Sequence, residues 1–322
     1  MKRLEEVIAG ARSIAITGHV RPDGDCVGSC LGLYNYISHI QPEAQAQVYL
    51  EPFATPFSFL KGADKIRKDC SEDHYYDVCF ALDCSDFERL GEAGKYFAAA
   101  KQKVCIDHHI TNAGYGDINW IQADASSTSE LLYTFMEDCV IDLAVAECLY
   151  LGIVHDTGVF KHSNTAGITM EIAGKLLEKG VSSAYIIDET FYKKTFAQNK
   201  VLGRALDSAC LWLDGAFIAG VVSKEDMESC GLEPKDLDGN VDQLRITSGV
   251  AVAAFLYEAD SQGPEYKVSL RANGEVDVSR IAMGFGGGGH VKAAGCTVTG
   301  QWKQIAEILA ELVAEQLGVL SH

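Results

Sequence analysis

Four short segments of the chain place aspartate and histidine side chains directly after apolar runs. These residues are His19 with Asp23 and Asp25, then Asp83, then Asp107, His108 and His109, and finally His155 with Asp156. Carboxylate and imidazole ligands together suit a Mn²⁺- or Mg²⁺-like ion better than a thiolate-bound zinc. An aspartate shared between two ions is what a two-metal hydrolytic site requires. The residue types therefore predict metal-assisted hydrolysis.

Each of these acidic residues also has a purely structural interpretation. An aspartate at a helix start is most often an N-cap, and for Asp25 alone that interpretation is as good as a metal ligand. The nearby Asp23 favours metal, because two close carboxylates repel each other unless a cation lies between them. Asp83 alone is simply a first loop residue, and its recurrence with other strand ends favours a ligand. Asp156 follows a predicted helix, where the negative end of the macrodipole disfavours an acid, so a bound cation would offset the repulsion. His155 is better explained as a partner of that dipole.

The triplet Asp107-His108-His109 follows the apolar run Val104-Cys105-Ile106. Adjacent side chains of an extended segment point to opposite sides. One histidine can therefore bind metal while the next faces substrate. The flanking Asp107 is placed to fix the tautomer of a histidine ring.

A second candidate site lies near the C-terminus, where the glycine run 286–289 precedes His290. Glycine lets backbone N–H groups approach an anion closely, as in phosphate-binding loops. The run is not a Walker loop, because no G-K-[ST] follows it, and a mobile turn explains the four glycines equally well. Arg271 and His290 nevertheless favour an anion clamp, which Lys292 could assist.

The elements that must position the first group of residues alternate between strand and helix. Apolar runs predict strands at residues 13–18, 47–50, 77–82 and 104–106. Helical spacing predicts helices at about 25–38, 127–139, 143–154 and 166–179, with Ser127 and Glu130 as a capping box. Short apolar strands separated by helices indicate an α/β fold, with a parallel sheet covered by helices on both faces.

The second half of the chain has a different pattern. Residues 183–209 become helical and more polar, and the remainder predicts a smaller α/β domain. Strands are expected at 217–222, 250–257 and 266–271, helices at 223–231, about 240–246, 277–284 and 301–317, and a loop at the glycine run. The predicted organisation is a catalytic domain at 1–188, a helical linker at 189–208 and a substrate-binding domain at 209–322.

Composition limits the class of protein. The 322 residues are 48% hydrophobic and 22% charged, and the formal net charge is −18. A strongly acidic chain is unsuited to a long duplex, since backbone binding depends on basic surface. No apolar run approaches the ~18 residues of a membrane span, and the start from Met1 predicts an amphipathic helix and no signal peptide. The eleven scattered cysteines without a CxxC pair indicate a reducing cytoplasm.

Taken in order, these motifs resemble those of a known family. Four segments resemble the motifs of the DHH phosphoesterase superfamily: G-H-V-R-P-D-G-D-C-V-G-S from Gly18, the isolated Asp83, D-H-H from Asp107, and H-D-T-G from His155. The C-terminal R-A-N and V-D-V-S-R-I-A-M-G-F-G-G-G-G-H-V-K-A-A-G are similar to the associated DHHA1 domain. The resemblance covers nearly the whole chain and is greatest to the bacterial nanoRNase/pAp phosphatase group.

This resemblance implies a role for each motif residue. One metal ion is expected on His19, Asp23 and Asp83, and a second on Asp25, Asp83, His108 and Asp156, with Asp83 bridging. The implied ions are two Mn²⁺, with Mg²⁺ or Co²⁺ as alternatives. Catalytic roles fall on Asp83, Asp107, His108 and His109, of which His109 faces the scissile phosphate. Substrate binding falls on His109, Arg271, Gly286, Gly287, Gly288, Gly289 and His290.

The implied activity is hydrolysis of short single-stranded oligonucleotides to mononucleotides, together with removal of the 3′-phosphate of 3′-phosphoadenosine 5′-phosphate (pAp). It is expected in a cleft between the two domains of a cytoplasmic enzyme, with no long duplex and no membrane as partner; a homodimer is compatible with the sequence. A phosphodiesterase of linear or cyclic dinucleotides shares every motif and is the first alternative. A non-catalytic nucleotide sensor is the alternative of another class, and it is disfavoured because no metal ligand is lost.

Overall fold

A computed structural model of the chain describes residues 3–259 and 263–319. Met1 and Lys2, with which the predicted N-terminal helix begins, lie outside the described residues, as do the final residues of the predicted second domain. The chain divides into two compact units between Lys193 and Lys194. This division falls inside residues 189–208, the stretch predicted as a helical linker.

The first unit is built on a sheet whose five strands, counted over the described residues, all run parallel. The strands are β1 (Ser13–Thr17), β2 (Gln45–Tyr49), β3 (Val78–Leu82), β4 (Gln102–Asp107) and β5 (Ile118–Ile121). Every residue of β3 is buried, as expected for a central parallel strand that is covered on both faces. Short, continuously apolar runs therefore form this sheet where the sequence predicted it, although β5 was not predicted.

Helices cover both faces of this sheet. They are α1 (Leu4–Ile8), α2 (Gly24–Ile40), α3 (Gly94–Ala99), α4 (Thr128–Phe135), α5 (Leu143–Asp156), α6 (Gly167–Glu178) and α7 (Ser183–Ile187). Ile14 and Ile16 face the core formed with α2, α4 and α5, whereas Ala15 of the same strand faces Phe97 of α3. The predicted α/β architecture with helices on both faces is confirmed.

The strand order β2-β1-β3-β4-β5 places a topological switch between β1 and β3. The chain leaves β1 towards β2 on one side and later returns to β3 on the other. The loops after β1 and β3 therefore diverge and leave a crevice at the carboxyl edge of the sheet, where open α/β sheets bind their ligands. His19 follows β1, and Asp83 follows β3 directly.

The second unit contains a mixed sheet in the order β10-β11-β9-β8-β7-β6. Its strands are β6 (Cys210–Trp212), β7 (Phe217–Val222), β8 (Val252–Glu258), β9 (Glu265–Ala272), β10 (Gly288–His290) and β11 (Ala293–Thr299). Its helices are α8 (Phe196–Asp207), α9 (Lys224–Ser229), α10 (Asn240–Arg245), α11 (Val278–Gly284) and α12 (Trp302–Leu317). Within residues 189–208, α8 buries Val201 and Ala205 against Ile218 of β7, so it contributes to the core of this unit.

The glycine run departs from its predicted structure. Gly288–His290 forms the edge strand β10, which pairs antiparallel with β11, where the sequence predicted a loop. Consecutive glycines are typical of turns, but here they let two backbones pack closely. A Cβ at Gly287 would lie 2.2 Å from the carbonyl oxygen of Gly295, and one at Gly289 would lie 2.5 Å from that of Ala293. The loop prediction was wrong for Gly288 and Gly289, which pair with β11, whereas Gly286, with φ of +73°, lies in a turn as predicted.

None of the helices in the described ranges has the length and apolar character needed to cross a membrane. All eleven cysteines lie within those ranges and are free thiols.

Candidate metal centre

Three sets of side chains with possible ligand atoms lie at the carboxyl edge of the first sheet. In each set the ligand atoms all lie within 4.8 Å of one another. The sets are His19, Cys26 and Asp83; Asp83, His108 and His109; and Asp25, His108 and Asp156. Because Asp83 belongs to two sets and His108 to two, the three sets form one continuous cluster.

Asp83 lies at the middle of this cluster. Its Oδ2 is 3.5 Å from His19 Nε2, and its Oδ1 is 3.5 Å from His108 Nε2. The two oxygens of one carboxylate therefore face histidines from two different strand ends. Asp83 is 2% exposed and adopts a left-handed backbone conformation with φ of +53°. This geometry suits a carboxylate that bridges two cations.

His19 and His108 are held with their Nε2 atoms towards the carboxylates. The Nδ1 of His19 lies 2.9 Å from the carbonyl oxygen of Val20, and that of His108 lies 3.3 Å from the carbonyl oxygen of Ala125. A carbonyl oxygen only accepts hydrogen bonds, so Nδ1 carries the proton in both rings. Nε2 is then the ring nitrogen that would bind metal, the arrangement usual for ligating histidines.

Asp23 and Asp25 have different roles at the start of α2. Asp23 Oδ1 accepts hydrogen bonds from the backbone N–H groups of Asp25 and Cys26, so Asp23 is the N-cap of α2. The capping role considered for Asp25 therefore belongs to Asp23. Asp23 is exposed and lies outside the three sets of possible ligands, although its Oδ2 is 3.6 Å from His19 Nε2.

Asp25 is completely buried, and its carboxylate faces a different helix. It accepts hydrogen bonds from the N–H groups of Thr128 at 2.7 Å and Ser129 at 3.0 Å, at the N-terminus of α4. The unpaired N–H groups and positive dipole end of that helix stabilise the carboxylate and fix its direction. Thr128 also donates its hydroxyl to Asp83 Oδ1 at 3.3 Å.

Close packing of α2 on α5 brings Asp25 and Asp156 together. A Cβ at Gly28 would lie 2.5 Å from the carbonyl oxygen of Cys148, and one at Gly152 would lie 2.4 Å from Asp25 Oδ1. The helices can approach this closely only because both positions lack a side chain. Asp156, the last residue of α5, places its Oδ2 2.9 Å from His108 Nε2.

His109 is oriented by Asp107. Its Nδ1 lies 2.7 Å from Asp107 Oδ1, and Asp107 Oδ2 accepts a hydrogen bond from the side-chain amide of Asn112 at 2.6 Å. The hydrogen bond with Asp107 raises the pKa of His109 above its ordinary value. His109 is partly exposed, unlike the buried Asp107. A protonated Nε2 is therefore available on a ring whose orientation Asp107 fixes.

The electrostatics of the cluster fit divalent cations. Burial and the carboxylates of Asp83 and Asp156 raise the pKa of Asp25, and burial raises that of Asp156. Burial opposes protonation of His108, but hydrogen bonds with Asp156 and Asp83 outweigh it and raise its pKa to about 12. Carboxyl groups that resist ionisation, beside imidazoles that retain protons, indicate an excess of negative charge. Divalent cations would neutralise that excess, and the oxygen and nitrogen donors suit Mn²⁺ or Mg²⁺.

Two neighbouring residues differ from what the sequence indicated. Cys26 lies among the potential ligands and was not predicted, because a cysteine after a helix start carries no signal of its own. Burial raises the pKa of its thiol, which disfavours a thiolate ligand.

His155 points away from the cluster and places Nε2 2.9 Å from the hydroxyl of Thr190. Burial lowers the pKa of His155 to about 4, so it is a neutral packing residue and does not compensate the dipole of α5.

The predicted substrate residues of the second unit share one row of its sheet. Arg271 of β9 and His290 of β10 both pair with Ala293 of β11, so their side chains project from the same face on either side of a small residue. The Arg271 guanidinium lies 4.0 Å from Asp242, which also accepts a hydrogen bond from Arg245 at 3.0 Å. Lys292 instead donates to the carbonyl oxygen of Gly274.

The predicted glycine cradle does not offer all of its N–H groups to an anion. The N–H of Gly286 donates to the carbonyl oxygen of Met283 at 3.0 Å, and that of Gly287 donates to Ala282 at 2.9 Å. These two bonds end α11 and leave neither N–H group available for an anion. The prediction of a four-glycine cradle was therefore wrong for Gly286 and Gly287, because ending the helix uses their donors.

Comparison with known proteins agrees with this geometry. The family model of the DHH family, N-terminal domain, matches residues 13–153, and that of the DHHA1 domain matches residues 215–317. A relative from Bacillus subtilis (strain 168), the bifunctional oligoribonuclease and PAP phosphatase NrnA, is 30% identical, over 93% of this chain and 93% of its own length. The chain belongs to the DHH family. The family resemblance of the sequence motifs is thereby confirmed.

Two other proteins are similarly close. The Thermus thermophilus protein of the same name is 29% identical, over 98% of this chain and 94% of its own length. A crystal structure of an exopolyphosphatase-related protein from Bacteroides fragilis is 26% identical, covers 95% of each chain and has a TM-score of 0.83. The likeness to both proteins extends over both units of the chain.

Proposed function

We propose that this DHH-family phosphoesterase hydrolyses very short oligonucleotides to mononucleotides and removes the 3′-phosphate of pAp. The observation that carries the proposal is the buried Asp83 carboxylate, whose two oxygens each lie 3.5 Å from a different histidine Nε2. That arrangement suits two cations around one phosphoryl group. The relatives named bifunctional oligoribonuclease and PAP phosphatase support the choice of substrate.

The ligand atoms divide into two sets around Asp83. His19, Asp23 and Asp83 would hold one cation, and Asp25, Asp83, His108 and Asp156 the other. We infer Mn²⁺, because imidazole nitrogens accompany carboxylate oxygens in both sets, with Mg²⁺ or Co²⁺ as substitutes. When bound, such ions supply Lewis-acid activation of a water nucleophile and neutralise charge on the phosphoryl oxygens.

The chain's own residues contribute orientation and a proton. Asp107 keeps His109 in one tautomer, with Nδ1 occupied and Nε2 directed outward. A protonated His109 donates from Nε2 to a phosphoryl oxygen or to the leaving oxygen, which offsets the charge that develops there. Asp25 and Asp83 are held in place by the hydrogen-bond donors of Thr128.

Substrate length follows from the charge of the protein. At a formal net charge of −18 the chain offers little attraction to a long polyanion. We place the recognition of a substrate phosphate on Arg271 and His290, whose side chains project from one face of the second sheet. A few charge-assisted contacts bind one phosphate well without favouring a long strand.

The eleven free thiols fit our inference of a reducing cytoplasm.

The proposal is tested by product analysis on four substrates side by side: pAp, a linear dinucleotide, a 5-mer and a 24-mer. We expect rapid turnover of pAp and the dinucleotide, slower turnover of the 5-mer and very little of the 24-mer. Chelation of divalent cations should abolish all four activities, and added Mn²⁺ should restore them. Preferential cleavage of the 24-mer, or turnover that survives chelation, would contradict the proposal. Turnover of the dinucleotide without pAp would favour the dinucleotide phosphodiesterase instead.

The role of Arg271 needs a separate test. Arg271→Ala should raise KM for the dinucleotide roughly tenfold or more, since it removes charge-assisted hydrogen bonds worth ~1.5–3 kcal/mol, and should leave kcat nearly unchanged. The exposed Arg280 on α11 provides the matched control, because Arg280→Ala removes the same charge from the same unit. Equal KM values for the two variants would rule out this role.

A further inference from the structure

A cavity of about 290 Å³ lies at the carboxyl ends of β1 and β2. Its lining includes Gly18 and His19, and His19 Nε2 is 3.5 Å from the central Asp83 carboxylate. The cavity therefore begins at a residue of the metal-binding cluster. Tyr49, Leu90 and Ala93 also line it, and they belong to the apolar core on the α3 face of the sheet.

The walls of this cavity are fixed by specific contacts. Val20 donates its N–H to the carbonyl oxygen of Arg89 at 2.8 Å, and a Cβ at Gly91 would lie 2.7 Å from Val20 Cγ1. Arg21 donates its N–H to Glu51 Oε2 at 2.8 Å. The loop after β1 is thus tied both to the segment before α3 and to the end of β2. A cavity with tied walls is preformed and needs no rearrangement to admit a ligand.

The polar groups of the cavity determine what it can bind. Glu51 and Glu92 present carboxylates, which only accept hydrogen bonds. Apart from His19, which belongs to the metal-binding cluster, Lys68 is the one basic side chain among the described lining residues, and its Nζ lies over the ring of Phe53, 5.6 Å from the centroid. Burial and the nearby Glu92 carboxylate raise the pKa of Cys70, which keeps this lining residue neutral. Two carboxylates against one ammonium disfavour a phosphate and favour a group rich in N–H or O–H donors.

The size of the cavity narrows the ligand further. At about 290 Å³ it lies at the lower end of the roughly 300–1,000 Å³ range of ligand pockets. It has room for one sugar with its base, and not for two nucleotides. Leu50 and Leu90 also line the cavity, although each is no more than 4% exposed.

We propose that this cavity is a nucleoside subsite, in which ribose hydroxyls or a base amino group donate hydrogen bonds to Glu92 and Glu51 while the phosphoryl group lies at the metal cluster. The inference rests on the proposed function, and it identifies the part of the chain that recognises the substrate as a nucleotide. Glu92 is the residue to test, because it is exposed at the rim, whereas Glu51 also ties the loop after β1.

The test compares a nucleotide with an ester that has no nucleoside. Glu92→Gln should raise KM for a ribodinucleotide roughly tenfold or more, the loss expected for a hydrogen bond to a charged acceptor. It should leave hydrolysis of bis(4-nitrophenyl) phosphate at the wild-type rate, because the metal cluster is unchanged. Glu88→Gln is the matched control, since Glu88 is exposed on the same segment before α3 but does not line the cavity.

Two further arms separate this proposal from the proposed function. Adenosine 5′-monophosphate binding, measured by calorimetry, requires no turnover; Glu92→Gln should weaken it roughly tenfold, and an unchanged Kd would overturn the subsite. If wild-type protein hydrolyses the dinucleotide and Glu92→Gln matches it in KM, the subsite fails while the function stands. If the wild type hydrolyses only the nitrophenyl ester, the function fails, and the calorimetric arm still decides the subsite. A 2′-deoxy dinucleotide distinguishes ribose donors from base donors. If the 2′-hydroxyl donates to Glu92, Glu92→Gln should no longer raise KM for this substrate. If a base amino group donates, the increase in KM should remain.

Discussion

The backbone of Asp83 is as unusual as its position. Its φ of +53° lies in the left-handed region, which asparagine and aspartate tolerate better than most residues. The turn directs both carboxylate oxygens back over the strand end, one towards His19 and one towards His108. Aspartate therefore suits this position for two reasons: it tolerates the left-handed backbone, and its two oxygens face two different histidines.

Asp83→Asn should abolish dinucleotide turnover while the protein remains folded. The substitution keeps the shape and the left-handed conformation but removes the charge that two cations would share. We expect a loss of roughly 10³-fold or more, beyond the 10²–10³ that follows removal of one oxyanion donor, and a nearly unchanged melting temperature. Asp64→Asn, at an exposed aspartate of the same unit, is the control and should behave as wild type. Near-normal turnover of Asp83→Asn would mean that the two-metal assignment is wrong.

Thr128 should act through the residues that it positions. Its hydroxyl donates to Asp83 Oδ1 at 3.3 Å in a completely buried environment. Thr128→Val keeps the shape but removes this donor, and it should weaken Mn²⁺ binding roughly 10- to 100-fold, as loss of an outer-shell partner typically does. Calorimetric titration with Mn²⁺ measures this directly. Thr128→Ser retains the hydroxyl and should keep most of the affinity; if both variants bind Mn²⁺ equally, the hydroxyl has no positioning role.

Residues with a local signal were predictable from the sequence, and those whose role depends on distant contacts were not. Asp83 and the triplet at Asp107 follow apolar runs, so their placement at one sheet edge followed from the parallel sheet. The role of Thr128 arises from a contact with Asp25, 103 positions away. The Ser-Ser-Thr-Ser run at the start of α4 indicated a helix cap but gave no sign that the helix would bind a carboxylate of α2.

At the scale of elements, the crossing of α2 and α5 determines the spacing of ligands. Gly152→Ala should both destabilise the protein and weaken metal binding. A Cβ there would lie 2.0 Å from Ser129 Oγ and 2.4 Å from Asp25 Oδ1, so these buried side chains, or the helices that carry them, must shift. Overpacking of this kind typically costs about 1–3 kcal/mol.

A glycine in a neighbouring helix provides the control for that variant. A Cβ at Gly174 of α6 would meet no atom of the described residues within 4 Å, so Gly174→Ala should be neutral or stabilising by up to about 1 kcal/mol. Urea denaturation of both variants, with Mn²⁺ titration of each, measures the two effects. Equal stability and metal affinity in the two variants would show that the helix crossing does not set the spacing.

The start of β3 is joined to its neighbours by Asp77. Its carboxylate accepts a hydrogen bond from Lys101 at 2.7 Å and from the N–H groups of Arg12 at 2.9 Å and Ser13 at 3.1 Å. The bond from Lys101, followed by those from Arg12 and Ser13, holds the pKa of Asp77 below its ordinary value. The folded state therefore favours the ionised carboxylate.

This shift predicts the pH dependence of one variant. A lowered pKa in the folded state stabilises the protein above the unfolded pKa of about 3.9, and the contribution disappears as pH falls below it. Asp77→Asn removes this contribution, so wild type should be more stable than the variant near neutral pH. The difference in free energy of unfolding should shrink as pH falls from about 5 to about 3. A difference that stays constant over this range would exclude the mechanism.

Among the elements, continuous apolar strands were predicted well, and short or half-buried strands poorly. β1, β3 and β7 are buried apolar runs and lie close to their predicted bounds. β5 and β11 were given no bounds, since strands that contain Asn119, Gly295 or Thr297 lack a continuous apolar run, and β6 is only three residues long. β10 is stabilised by pairing with β11, which the glycine sequence alone cannot indicate.

At the scale of the whole molecule, the net charge of −18 should govern the salt dependence of activity. Salt screens repulsion between the acidic protein and an anionic dinucleotide. Between about 50 and about 200 mM KCl, kcat/KM should therefore stay constant or rise, whereas proteins that neutralise many phosphates lose 10³–10⁵ in affinity over this range. Steady-state kinetics at fixed Mn²⁺ measures this. A steep fall with salt would point to an extended basic contact and a longer substrate.

The glycine contact between α2 and α5 also limits how this protein can adapt. Because the two helices touch without intervening side chains and each carries a carboxylate of the cluster, repacking their contact for greater heat resistance would displace Asp25 and Asp156 together. Thermal adaptation must therefore arise elsewhere, for example on α6, where Gly174 faces open space. Homologues from hot and temperate habitats should then differ in their peripheral helices while retaining the same inter-helix distance at this crossing.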